Sequence, residues 1–481
     1  MTEKILNKRS VISLGFFALF FHIVTMELTY FINTSVFMIV DYVIIGLTAA
    51  ITLLFIAQRQ IPIRFQPAQI LLVLFMFWFI ISCISMGVTY DNDWVNHNAF
   101  PMLNTAISMF LSFPLGYVWI REKNETVRPD TGLPQEGRVS APTMMMHILL
   151  LGSTVFIGIL LLNLFQGNEV IMPNGGLIRM GLGLELCCHY NITGAWELVF
   201  FLGCCFMTIH CKPVPMKIIY ILATVIHYTA LVLSNSRTSI LTTLFGFMAM
   251  TGIMTYLRLV GQGDLTPVSQ ARKWRKIIWA IGAAVIAGVV FYFASGLVFK
   301  LYNVLTNSNA SARATAAEVA SNPSFTGRTA IWKATIEGIF TSFRMAMFGV
   351  TPMSAADMIN QMMNVDGVYA HAHNQFLQIA ASNGIPALCI FLIWLFIMGK
   401  DMYKLYFVQK DKTPFLLIPV IILVLLLSNM LEAFLVYGYE INGFVFFLLC
   451  GMLHGKVNEP IEENNPGPIL KKLRRILPAK G

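Results

Sequence analysis

The sequence predicts an all-α integral membrane protein of about twelve transmembrane helices, with one large extracytoplasmic loop containing short helices. Three observations predict it. Apolar residues make up 57% of the 481 residues and charged residues only 12%, about half the charged share of a soluble domain. Apolar runs long enough to cross a bilayer recur along the whole chain. Lys and Arg are dense in every second connection and sparse in the others.

The runs fall near residues 10–32, 36–57, 68–88, 100–120, 143–165, 185–209, 214–234, 237–257, 277–299, 374–399, 413–433 and 436–455. With Lys4, Lys8 and Arg9 placed in the cytoplasm, most of the 33 Lys and Arg collect on that side. The opposite side keeps only Arg179, Arg237, Lys300, Arg313, Arg328, Lys333 and Arg344. A missed or invented span would scramble this alternation downstream, so the bias supports both the span count and the orientation. Both termini are then expected in the cytoplasm.

The chain reads as a single polytopic membrane domain over 1–481, with an extracytoplasmic loop at 300–373 and a basic cytoplasmic tail at 456–481. The net charge of +9 lies mostly on the cytoplasmic side, where anionic headgroups attract it. It points to membrane lipids as partners and not to nucleic acid. The first run lacks a small-residue cleavage site and is read as retained. Internal repeats of the kind found in transporters built from inverted halves are not evident. Most of the eight cysteines lie within apolar runs and read as small apolar side chains. Cys187-Cys188-His189 and His210-Cys211 fall at opposite ends of one run, about 30 Å apart, and cannot share an ion. Trp94, Trp119, Trp279 and Tyr437 fit interfacial belts.

The loop 300–373 is the longest polar stretch. Residues 310–320 favour helix, and Asn322-Pro323 stops it. A second helix follows, with Thr326 as its expected cap. On it Arg328, Trp332 and Thr335 share one face by i, i+4 and i, i+3 spacing. Gly349-Val350-Thr351-Pro352 marks a turn. A long structured loop at a membrane face tends to carry function.

Four places carry candidate chemistry. Arg237 sits in the tight turn Ser234-Asn235-Ser236-Arg237-Thr238-Ser239, where hydroxyls surround a guanidinium suited to phosphate. A snorkelling role at the headgroups is its bland alternative. Arg328 follows Gly327 in a Gly-Arg-x-x-x-Trp pattern. His371-Ala372-His373-Asn374 opens the tenth run. At i, i+2 its two histidines are not expected to point the same way on a regular helix, and His373, nearer the span, is the favoured functional one. Glu432 interrupts an apolar run, and an ionisable group there is a functional candidate. Glu27, Asp41, Glu197 and His227 are expected to meet Ser, Asn or Arg inside the bundle. A metal site at the histidines needs further ligands, and the loop offers only acids such as Asp357 and Asp366; no metal is expected. No nucleotide loop or dinucleotide turn is present.

Ser236-Arg237, Gly327-Arg328 with Trp332, and His371-Ala372-His373-Asn374-Gln375-Phe376-Leu377 followed by Asn383-Gly384-Ile385-Pro386 together resemble the O-antigen ligase and polymerase superfamily. The order of these motifs, and about twelve spans with one large outer loop before a late span, match as well. The resemblance is strongest over about 220–455. It implies a membrane glycosyltransferase of the bacterial plasma (inner) membrane, using an undecaprenyl-diphosphate-linked glycan donor and a glycan or lipid-linked acceptor. It implies no cofactor, and transfer with inversion. By that resemblance Arg237 and Arg328 hold the diphosphate and His373 deprotonates the acceptor hydroxyl. His371, Asn374, Trp332 and Glu432 contact substrate. An imidazole, with a reference pKa of about 6.5, suits proton abstraction near neutral pH. The alternative is a transporter or flippase of lipid-linked oligosaccharides, which would show repeat symmetry and charges deep within spans.

Overall fold

The structure, a computed structural model, describes residues 8–29, 40–50, 66–87, 94–122, 141–168, 170–171, 177–180, 184–186, 189–211, 213–261, 270–306, 327–352, 354–365, 367, 370–409, 414–437 and 441–458. The expected helix at 310–320, Asn322-Pro323, Arg313, Thr326, Asp366, Cys187, Cys188 and most of the basic tail lie outside them, as does the side chain of Glu27.

Helices α1 Lys8–Thr29, α2 Val40–Ala50, α3 Pro67–Gly87 and α4 Trp94–Ile107 come first. A π-helical turn, Ser108–Ser112, joins α4 to α5 Phe113–Glu122. Helices α6 Ala141–Phe165, α7 Tyr190–His210, α8 Val214–Leu233, α9 Arg237–Gly261 and α10 Gln270–Thr306 follow. Three short helices, α11 Arg328–Ile339, α12 Phe343–Phe348 and α13 Ser354–Met362, precede α14 Gln375–Tyr403, α15 Leu417–Asn429 and α16 Ile441–Val457.

Among the described residues, eight helices are long and apolar enough to cross a membrane, from Pro67–Ser85 to Gln375–Val408. They coincide with the third to tenth expected runs. The other four expected runs coincide with shorter apolar helices, Ser13–Thr25, Val40–Ala50, Leu417–Asn429 and Ile441–Val457. The last two are short because residues 430–437, after the first of them, are not helical. Asn429 Oδ1 accepts from the Phe434 N–H at 2.6 Å, and Gln375 Oε1 accepts from the Leu435 and Val436 N–H groups at 2.9 and 3.3 Å. Two buried amide side chains thus replace the helical partners of a buried irregular segment, as such backbone requires away from water. Tyr437 belongs to this segment. It is buried, with φ 72°, and hydrogen-bonds Asn383, so it is not an interfacial belt residue.

Two departures concern the wall of the bundle. A three-stranded antiparallel sheet links α6 to α7: β1 Val170–Ile171, β2 Leu177–Met180 and β3 Leu184–Leu186. The turn residues Pro173, Asn174, Gly175 and Gly176 separate two short aliphatic runs, a hairpin signal. The all-α expectation and the early start of the sixth run both missed it. Helix α10 also runs on through Thr306, past the expected loop start at 300.

Small residues set the closest helix contacts. A Cβ on Gly451 would lie 2.0 Å from the Phe113 carbonyl oxygen, and one on Gly455 2.5 Å from that of Tyr117. This Gly-x-x-x-Gly face lets the α5 and α16 backbones touch. Of the acids flagged in the bundle, Asp41 pairs with His22 at 2.6 Å and Glu197 with His227 at 2.7 Å, while His227 also meets Ser153 at 3.4 Å, one of the partner types expected; buried Asp401 pairs with His454 at 2.6 Å. The low dielectric of the interior makes such pairing the condition for keeping these groups there.

Helices α11, α12 and α13 dock on the first half of α14 through Ile331, Ile339, Val350, Met358, Ile359, Ala380 and Ala381. The Val350 and Thr351 N–H groups donate to the Ala381 and Ser382 carbonyls at 2.8 and 2.9 Å, where α14 kinks. At the kink Gly384 adopts φ 82°, ψ 172°, and an added Cβ would meet the Met347 carbonyl oxygen at 2.1 Å. Both the dihedrals and the space demand glycine. Gly384→Ala is expected to destabilise the protein by about 3 kcal/mol or more. Thermal unfolding of the purified protein in detergent checks this; an unchanged midpoint would contradict the docking.

Candidate functional site

The site grows from three chain segments that meet over the start of α14. The first is the N-terminus of α11. Gly327, at φ 82°, caps the helix without a side chain, and the next residue is Arg328. The second is the turn 371–374, closed by Asn374, whose Oδ1 accepts from the Phe376 and Leu377 N–H groups at 3.0 and 3.1 Å. The third is the irregular segment after α15, which carries Glu432.

Glu432 is the hub. Its Oε1 accepts from Arg328 Nη2 at 2.5 Å, and its Oε2 from His373 Nδ1 at 2.9 Å. His371 Nε2 lies 3.9 Å from the same Oε2. The carboxylate is 2% exposed, whereas each histidine side chain is 22% exposed, so the imidazoles line the open side. Burial pushes the Glu432 carboxyl up. The His373 hydrogen bond and the charges of His373, Arg328 and His371 outweigh it and hold the group below the usual carboxylate value. Glu432 is therefore ionised and can only accept.

The two histidines do not diverge as a regular helix would require. His373 takes φ 47°, and the turn brings the two rings to a centroid distance of 4.2 Å. They differ in what their nitrogens do. The His373 N–H donates to His371 Nδ1 at 3.1 Å, so that nitrogen is bare and His371 carries its proton on Nε2. Burial, followed by the neighbouring His373, lowers the His371 pKa to about 4, against a smaller pull upward from Glu432. For His373 the order is reversed: Nδ1 donates to Glu432, which leaves Nε2 to take a proton.

The depressed value of His371 has a consequence for stability. Between its ordinary 6.5 and about 4, the unfolded chain binds a proton that the folded site refuses. Stability is complete above pH 6.5 and is lost as pH falls toward 4. Melting in detergent is expected to show this loss, and His371→Asn is expected to flatten it. Equal slopes in the two proteins would refute the assignment.

The remaining expected residues divide. Trp332 Nε1–H donates to the His373 carbonyl at 3.2 Å and fixes the turn from α11. Asn374 spends both ends of its amide locally, since Nδ2–H donates to the Met430 carbonyl at 3.0 Å. Thr335, expected on the face of Arg328, is buried and donates to the Ile331 carbonyl at 2.7 Å. Arg237 opens α9 at the same end of the bundle. Gly246 of α9 lies against Val424 of α15, and Arg237 begins α9 about 13 Å before that contact at helical rise. The charges of His373, Arg328 and His371 act on Glu432. The Arg237 turn is held by buried hydroxyls, with Ser236 Oγ–H donating to Ser239 Oγ at 3.0 Å and a Cβ on Gly194 of α7 placed 2.5 Å from the Ser236 Cβ.

Sequence reasoning passed over Gln375 and Gln378. Gln375 holds the Glu432 segment, and Gln378 Oε1 accepts from the Ala372 N–H at 2.8 Å. Amides in the first turn of an apolar helix were the available signal.

His371, His373 and Glu432 offer three ligand atoms within 4.8 Å of one another. The search for acids in the loop alone did not foresee Glu432 as a third donor. In this arrangement Glu432 is also bonded to Arg328, and His371 Nδ1 accepts from the His373 N–H.

Residues 222–392 match the family model for O-antigen ligase. The chain carries an O-antigen ligase domain. It is a multi-pass membrane protein with a membrane glycosyltransferase-like function in polysaccharide biosynthesis. Lipid-linked glycan and an acceptor are the substrates the family implies. No curated protein matches the chain. The O-antigen ligase segment begins in α8, ends in α14 and contains Arg237, Arg328, Trp332, His371, His373 and Asn374. Glu432, the partner of two of these, lies beyond its end.

Proposed function

We propose that the protein transfers a glycan from an undecaprenyl-diphosphate-linked donor to an acceptor hydroxyl at the outer face of the bacterial plasma membrane, in surface polysaccharide biosynthesis. The Lys and Arg bias, read with the N-terminus in the cytoplasm, supports putting the candidate site on that face. The observation that carries the reading is the shared carboxylate. It sets an anion-binding guanidinium and an imidazole with a bare Nε2 beside each other at the open side of one site.

The chemistry needs those two groups. The acceptor oxygen attacks the anomeric carbon, and its proton passes to His373 Nε2. The bond from that carbon to the diphosphate breaks, and the lipid diphosphate leaves with the electron pair. Arg328 binds the diphosphate where charge grows, by planar donation from a guanidinium that stays ionised. Arg237, on the same level of the bundle, is the second guanidinium for that anion. Trp332 and Asn374 hold the His373 turn in place.

Complementation tests the reading. Wild type, Arg237→Ala, Arg328→Ala and His373→Ala are expressed in a strain lacking the native gene, with membrane protein level checked. Glycan that collapses to single lipid-linked repeats marks a polymerase. Long lipid-linked chains that fail to reach their acceptor mark a ligase. Surface glycan unchanged in all three variants would refute the transfer reading.

A further inference from the structure

We infer that Glu432 is the positioning residue of this site: one buried carboxylate fixes both Arg328 and His373, one oxygen to each. The inference rests on the transfer reading above and gives Glu432 a different part from substrate contact.

Three observations support it. Both carboxylate oxygens are already used, Oε1 by Arg328 and Oε2 by His373, and the side chain is 2% exposed. A buried anion that only accepts would repel a diphosphate, so direct contact with that substrate is excluded on charge. The contact with His373 decides the tautomer. An ionised carboxylate at Nδ1 keeps the proton there and points the bare Nε2 elsewhere. The contact with Arg328 decides the direction of the guanidinium while using only part of it. Arg328 Nε is buried and has no hydrogen-bond partner among the described residues, a donor left for an anion.

The segment that carries Glu432 is itself held rigidly. Gln375 and Asn429 take up the N–H groups at 434–436, and the Asn374 amide holds Met430. Glu432 thus lies between two fixed ends, as a group that sets the geometry of others must. A carboxylate is costly to bury, and a residue that only filled space here would need no charge.

Two substitutions separate positioning from filling. Glu432→Gln keeps the shape but offers one acceptor oxygen, and its NH2 faces the donor of either Arg328 or His373. Glu432→Asp keeps both acceptors and loses one methylene. Positioning predicts that Gln lowers transfer about a hundredfold or more, while Asp restores it to within about tenfold of wild type. Filling predicts the opposite order. Transfer is read as the rate of surface glycan assembly in the complementing strain, normalised to protein in membranes.

A second readout does not depend on transfer. The full chain is purified in detergent with 15N-labelled histidine, and the His373 signals are assigned by their loss in His373→Asn. Wild type is expected to carry the neutral-ring proton on Nδ1, Glu432→Asp to keep it there, and Glu432→Gln to shift the population toward Nε2. A wild-type proton on Nε2, or Gln more active than Asp, would overturn the positioning role. Transfer that survives both Arg328→Ala and His373→Ala overturns the functional reading instead, whatever the imidazole spectra show. Should Glu432→Gln fail to reach the membrane, the wild-type and Asp spectra still decide.

Discussion

Replacing Arg328 by alanine is expected to abolish glycan transfer and to cost about 3 kcal/mol of stability. The two losses have different origins. Stability falls because Glu432, 2% exposed, loses the guanidinium 2.5 Å away and keeps only the histidines. Stranding a buried charge is more costly than never burying it. Transfer falls because the diphosphate loses the donor placed where its charge grows. Arg328→Met combined with Glu432→Leu separates them. With both charges gone, the unfolding midpoint in detergent is expected to recover most of the loss, while surface glycan stays absent. Recovery of glycan in the double variant would mean that Arg328 serves the fold alone.

His373→Ala is expected to lower transfer by about two to four orders of magnitude, the range lost when a general base is removed. Its removal also takes a hydrogen bond from the buried Glu432 carboxylate, so about 1–3 kcal/mol of stability is expected to go with it. His371→Ala is the internal control. Its Nδ1 is taken by the His373 N–H, and its pKa of about 4 makes it a poor base at neutral pH. Its removal is expected to cost no more than about tenfold, through a looser turn at residue 373. Rates of glycan assembly per membrane-inserted protein distinguish the two. Equal losses would place the base at His371 or make the pair act as one.

How far the sequence foretold this site depends on the range of the interactions involved. Arg328, Trp332 and the histidine turn were legible because local spacing marked them, and hydropathy marked the helices that carry them. The convergence of the two histidines was not legible. A left-handed φ at His373 is set by the packing of Trp332 and Gln378 around the turn, which lies outside any helical periodicity. Glu432 was visible as an intruder in an apolar run, but its partners are distant in sequence, and no local pattern names them. Asp41 and Glu197 teach the same lesson: each acid could be flagged from its surroundings, while its pairing with a histidine came only with the fold. The small sheet before α7 escaped because hydropathy windows sized for spans pass over strands of two to four residues.

The position of Glu432 outside the matched segment bears on how such proteins can recombine. The O-antigen ligase match closes at residue 392, yet the anion that seats its arginine and histidine arrives from residue 432. A chimera joined just after the match would set the donor's guanidinium and imidazole against a foreign turn. One joined beyond residue 437 would carry its own carboxylate, with the Gln375 and Asn429 clamps intact. The unit of inheritance for this chemistry is therefore longer than the stretch by which the family is recognised.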